Sequence, residues 1–218
     1  MITSYDTLPL GIYLDICAIS RDESREDVDR QVSIIALLSG ESERSILNLP
    51  IPQYQQRAAA AEFLRAEPEK LGRPLAKYAL GPWSLLPTLD PEKLTTAQYI
   101  DFQTFAPAAD EKLVELLSVL LVPEGHPYND GYDVVEVQNA IREHLSVADA
   151  LALSAFFFKS WLELTTDTLA SLEKETRKAG RIKDAAKRQK ALEDLARLKK
   201  DLRTRSQAVG VGLRRWTS

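Results

Sequence analysis

The side chains best suited to nucleophilic or metal chemistry are few: two histidines, His126 and His144, and one cysteine, Cys17. The histidines stand eighteen residues apart, and no HExxH, CxxC, phosphate-binding glycine loop or nucleophile elbow accompanies them. Cys17, set beside Ile16 and Ile19, reads as a buried structural thiol rather than a nucleophile. His144 falls near the end of a helical segment, where the helix dipole favours a cation, a structural role. The stretch from Glu124 to Asp133 holds Asn129, Asp130 and Asp133 around Gly131, oxygens that suit a hard cation. It lacks the spacing and the closing bidentate glutamate of a calcium loop. The same residues are the usual ones for a turn between helices. No catalytic, cofactor-binding or metal-ligating residue is therefore assigned, and the chain reads as a binding protein, not an enzyme.

Phosphate contact is the remaining chemistry to weigh. Residues 1–168 carry 13 Lys/Arg and 26 Asp/Glu, a net of -13, while residues 169–218 carry 15 and 6, a net of +9. Arg177, Lys178, Arg181, Lys183, Lys187, Arg188 and Lys190 suit phosphates. Acidic residues are interspersed among them (Glu173, Glu175, Asp184, Glu193, Asp194, Asp201), aromatics are absent until Trp216, and the acidic body repels a polyanion. Nucleic acid is thus disfavoured as a partner. An acidic body with a basic tail points instead to protein partners, to self-association, or to the tail folding onto the body.

The elements that must carry these residues are mainly helical. With 44% hydrophobic and 28% charged residues, the composition is that of an ordinary globular chain. No apolar run approaches the ~20 residues of a membrane helix. The longest candidate, Leu151 to Leu164, is broken by Ser154, Lys159, Ser160 and Glu163. The N-terminus lacks the basic start and apolar stretch of a signal peptide, and a single cysteine fits a reducing compartment, so a cytoplasmic location is expected.

Helical periodicity with capping residues predicts a first helix from Leu8 with Thr7 as cap, and an apolar helix over Val32–Leu38 closed by Gly40. It predicts further helices from Gln53 to Arg65, from Thr95 or Thr96, over Glu111–Val122 and over Val134–Glu143, then a long one opened by Ser146. Five prolines and two glycines make 66–92 a connector, with a short β-hairpin around Gly81-Pro82. Any strand is expected within about 72–92. The expected organisation is a first helical pseudo-repeat over 1–66, the connector over 67–92, a second pseudo-repeat over 93–167, and a basic helical tail over 168–218, interrupted at Gly180. The fold class is mainly α.

The halves read in the same order. Leu8-x4-Tyr13-x-Asp15 matches Leu94-x4-Tyr99-x-Asp101, Val32–Leu38 matches Val114–Leu120, and Leu49-Pro50-Ile51 resembles Leu145-Ser146-Val147. Two stacked copies can bury a core that one alone cannot.

The stretches Leu94 to Thr104, Leu121 to Asp133, Leu145 to Ala150 and Phe156-Phe157, with Leu8-Pro9-Leu10-Gly11-Ile12-Tyr13 and Leu47-Asn48-Leu49-Pro50, carry a family resemblance. Over about residues 5–165 the chain resembles small helical proteins of tailed-phage and prophage structural regions, the tail assembly chaperones. Such proteins coat the tape-measure protein before the tail tube polymerises. The resemblance implies a non-enzymatic assembly factor in the bacterial host cytoplasm. It implies apolar grooves that hold a long helical client, with no cofactor and with self-association as a further expectation. No functional residue carries over individually. The residues expected to face partners are Trp161, Leu195, Leu198, Leu202 and Trp216. The alternatives are a structural or adaptor protein that stays in the virion, and a nucleic-acid-binding accessory protein acting through the basic C-terminal helix.

Overall fold

Short polar side chains set several of the helix starts. The computed structural model describes residues 1–66, 72–109, 111–182 and 185–200, and 67% of these are helical. Helix α1 (Leu10–Arg21) opens after Pro9, not from a Thr7 cap; Thr7 Oγ1 instead donates to the Ser4 carbonyl. Helix α2 (Asp27–Ser39) ends at Gly40, whose φ of 66° is the left-handed conformation glycine adopts without strain. Ser42 caps α3 (Glu43–Leu47), and Pro50 precedes α4 (Ile51–Ala60), which hands over to a 3-10 turn, Glu62–Arg65. Helix α5 (Thr96–Phe105) begins with a capping box between Thr95 and Gln98. Helix α6 (Leu113–Leu120) follows, then α7 (Val134–His144), capped by Asp133, and α8 (Val147–Ala179). Residues 185–200 are again helical. Among the described residues no helix is long and apolar enough to cross a membrane.

The hairpin forms where expected. Strands β1 (Tyr78–Leu80) and β2 (Trp83–Pro87) pair antiparallel, with Leu80 opposite Trp83 and the two-residue turn Gly81-Pro82 between them. A third strand, β3 (Leu121–Pro123), completes the order β1-β2-β3, and lies outside the window of 72–92 expected for strands. The last residues of the helix expected over Glu111–Val122 are therefore extended. Pro123 explains this, because the residue before a proline is pushed out of the helical region.

The chain divides into two compact units that are interleaved in sequence. Unit 1 is Met1–Leu86 with Pro123–Leu153, and unit 2 is Pro87–Val122 with the chain from Ser154. This partition differs from the successive pseudo-repeats, because unit 1 is closed by long-range pairing. Leu10 N donates to the Leu145 carbonyl at 2.8 Å and Val147 N to that of Leu8 at 2.9 Å. Asp15 pairs with Arg142. Gly11 lies so close to α7 that a Cβ there would stand 2.8 Å from the Arg142 carbonyl. Two apolar clusters fill unit 1: Leu8, Ile16, Leu38 and Val147, and Val32, Ile35, Ala36 and Ile46.

Unit 2 is built on α5, α6 and α8. Gln98, 3% exposed, joins the first two: its Nε2 donates to the Val119 carbonyl at 2.8 Å, while its Oε1 accepts from Thr95 N at 3.1 Å. Phe102, Phe157, Phe158 and Trp161 form an aromatic core, with Phe102 and Trp161 ring centroids 4.7 Å apart.

The two halves share helix register. Tyr13 is the fourth residue of α1 and Tyr99 the fourth of α5; Asp15 and Asp101 are each the sixth. Their surroundings differ. Tyr13 neighbours Cys17 and Tyr5, whereas Tyr99 sits against Trp161 at 5.8 Å. Gly11 and Gln98, the two residues that lock their helices to neighbours, have Ala97 and Ile12 at the matching places.

The boundary expected at 168 is absent, since α8 runs on to Ala179. The chain turns at Gly180 and Arg181, so the interruption at Gly180 is present.

Candidate protein-binding site

Three helices and a turn of unit 1 leave an open groove of about 770 Å3 among α1, α2, α4 and the 3-10 turn. Its volume falls in the ~300–1,000 Å3 range of ligand clefts. Helix α4 borders the groove, and none of its residues is buried. Tyr54 and Ala58 hold α4 on the cluster around Ile35, and Tyr54 Oη donates to Gln31 at 3.0 Å. Ile16, Ile34, Ala58 and Leu64 give the groove an apolar lining, while Arg21, Arg30 and Arg65 supply cations beside the carboxylates of Asp27 and Glu62. Arg30 pairs with Asp27; Arg21 and Arg65 form no ion pair with another described residue.

Tyr13 and Cys17 lie in the same wall. Burial, then the neighbouring thiol, pushes the Tyr13 hydroxyl well above its ordinary range. Burial also raises Cys17, against the opposing pulls of its hydrogen bond with Tyr13 and of Arg21. Both are neutral at physiological pH, so this wall presents a thiol and a phenol and not a nucleophilic thiolate. Behind Tyr13, the Tyr5 ring stands 6.3 Å from it and 5.2 Å from Phe63, and the Tyr5 hydroxyl donates to the Ala66 carbonyl at 3.2 Å. Such a site can bind an apolar surface that carries charged groups at its edge.

The residues expected to face partners do not converge. Trp161 is 6% exposed and is a member of the unit 2 core, so the expectation that it meets a partner is corrected. It falls in the α8 row Leu153, Phe157, Trp161, Thr165, the buried side. Leu195 is half-buried and Leu198 is 54% exposed in the helical stretch 185–200. Leu202 and Trp216 lie outside the described residues. The groove residues escaped sequence reasoning because Arg21, Arg30 and Arg65 look like ordinary surface charge until three elements bring them together.

The Glu124–Asp133 turn is held by hydrogen bonds and ring contacts of its own. Asp133 is committed to capping α7, accepting from Val135 N at 2.8 Å. Tyr132 organises the rest, receiving a hydrogen bond from Asn129 N at 2.9 Å and meeting the rings of His126 and Trp83. Among the described residues no group of three or more His, Cys, Asp or Glu is placed to hold a metal.

Comparisons of the chain with protein-family models, with curated proteins and with solved structures find no match.

Proposed function

We propose that this chain is a non-enzymatic assembly factor of the phage tail assembly chaperone type, which holds segments of a long helical client of the tape-measure kind. The observation that carries the reading is the groove of unit 1. Its apolar lining and arginine edge suit the helix-in-groove mode, in which an amphipathic helix lays one face into the site. The chemistry of the site agrees, because its two reactive side chains are held neutral.

Cys17 supplies the test, being the chain's one cysteine and a groove residue. A tape-measure-type protein co-expressed with the chain should co-purify with it and slow alkylation of Cys17. Ile34→Lys should weaken that complex at least ~10-fold, since it sets a charge in the apolar lining. Unprotected Cys17 together with binding indifferent to Ile34→Lys sinks the reading. The rival of a resident virion protein is separated by mass spectrometry of purified particles, where a chaperone is absent. The charge of +9 over 169–218 favours a nucleic-acid rival. A salt-dependent mobility shift with duplex DNA, lost on truncation of the tail, decides for it.

A further inference from the structure

The side of α8 turned away from the aromatic core is a second surface, independent of what the groove holds. Ala155, Lys159, Leu162, Glu163, Thr166 and Asp167 line an open depression within unit 2. Leu162 is 36% exposed and neighbouring Phe156 is 45% exposed. The hydroxyls on this stretch are satisfied inside the helix: Thr166 Oγ1 donates to the Leu162 carbonyl at 2.8 Å, and Ser160 Oγ to that of Phe156 at 3.2 Å. Thr166 therefore has its methyl left for contact, and the strip is apolar with three charges. Those charges, on Lys159, Glu163 and Asp167, form no ion pair with another described residue.

We propose that this face binds the same face of a second copy of the chain, the two helices antiparallel about a twofold axis. The order of the charges selects the partner and its direction. A lysine is followed four and eight residues later by carboxylates. A parallel in-register pair sets Lys159 against Lys159, whereas an antiparallel pair centred at the level of residue 161 sets Lys159 against Glu163 of the second copy, twice by symmetry. The same register brings Phe156 level with Thr166, apolar against apolar. With ~1.5 Å of rise per residue, the two Leu162 side chains fall within ~3 Å of each other along the axis, so they meet at its centre. Ala155 is small enough to let the helices approach.

Sedimentation equilibrium on the full chain tests this. The expected mass is twice the 24.4 kDa of one chain. Lys159→Glu, and separately the pair Glu163→Lys with Asp167→Lys, should each raise the dimer dissociation constant roughly tenfold or more, because every substitution acts twice. An equimolar mixture of the two variants should restore the dimer, since their charges are then complementary in both contacts. All three positions are exposed, and an unchanged helical circular dichroism spectrum checks that each variant folds. A wild-type chain that stays monomeric overturns the proposal. So does a dimer indifferent to the reversals, or a mixture that fails to reassociate.

Discussion

Gln98 concentrates two roles in one side chain, closing the capping box of α5 and donating to the Val119 carbonyl from a buried position. Gln98→Leu fills the space but leaves that carbonyl and the Thr95 amide without partners. Urea unfolding should show a loss of ~2–3 kcal/mol. Gly11 works by absence: alanine there meets the Arg142 carbonyl, a backbone atom that moves only with α7. Gly11→Ala should lower stability by ~1–3 kcal/mol, as overpacking does, whereas Ala97, its counterpart in α5, should accept glycine at ~1 kcal/mol. Tyr5, Tyr13 and Cys17 are all raised by burial. An acid whose folded pKa is raised holds its proton longer in the native state. Its stability contribution is complete below the ordinary thiol value of 9.0 and is lost as pH climbs through that value and the ordinary tyrosine value of 10.0. Melting temperature should therefore fall more steeply above pH ~9 than between ~6 and ~8, and Tyr13→Phe should flatten the alkaline fall.

At the scale of elements, the sequence was most legible where local chemistry decides the outcome. Thr95, Ser146 and Gly40 mark helix ends as expected, and Gly81-Pro82 marks the hairpin turn. That turn makes a prediction of its own. Gly81 has φ of 57°, and a Cβ there would meet His144 Nε2 at 2.9 Å. Gly81→Ala should lower the melting temperature by the equivalent of ~1–2 kcal/mol. Replacing His144 with a smaller residue as well should recover only the steric part. Legibility failed where tertiary context decides. Leu121 and Val122 continue an apolar helical pattern, yet they are extended because Pro123 follows. Trp161 is among the residues expected to face a partner, but its place in the row with Phe157 and Thr165 turns it inward. The groove was invisible for a related reason: it is defined by what α4 leaves uncovered, and no residue in a sequence announces a neighbour that is missing.

At the scale of the molecule, the charge asymmetry of -13 against +9 stands as read, but the point at which to cut the chain has moved. Truncation at 168 would sever α8 within its own length, whereas truncation after Ile182 keeps that helix whole. The aromatic core of unit 2, Phe102, Phe157 and Trp161, lies upstream of either cut. A chain ending at Ile182 should therefore unfold cooperatively with its melting transition unshifted, and broad, non-cooperative melting would show that the basic segment helps hold unit 2 together.

The pairing of Leu8–Leu10 with Leu145–Val147 bears on the order of events during synthesis. Leu10 and Leu145 are 135 positions apart, so the loop they close includes all of α5 and α6. A nascent chain can form α1 to α4 early, yet it cannot seat them on α7 until most of the chain has been made. Closure of so long a loop makes folding of unit 1 slow relative to its helix content. Until then the Leu8 and Ile16 cluster lacks Val147 and Leu151, and apolar surface left uncovered is the condition in which a chain aggregates or is captured by a folding helper. Ribosome-bound chains arrested before residue 145 should be cut by protease within α1 and α2, and chains arrested after the start of α8 has emerged should resist.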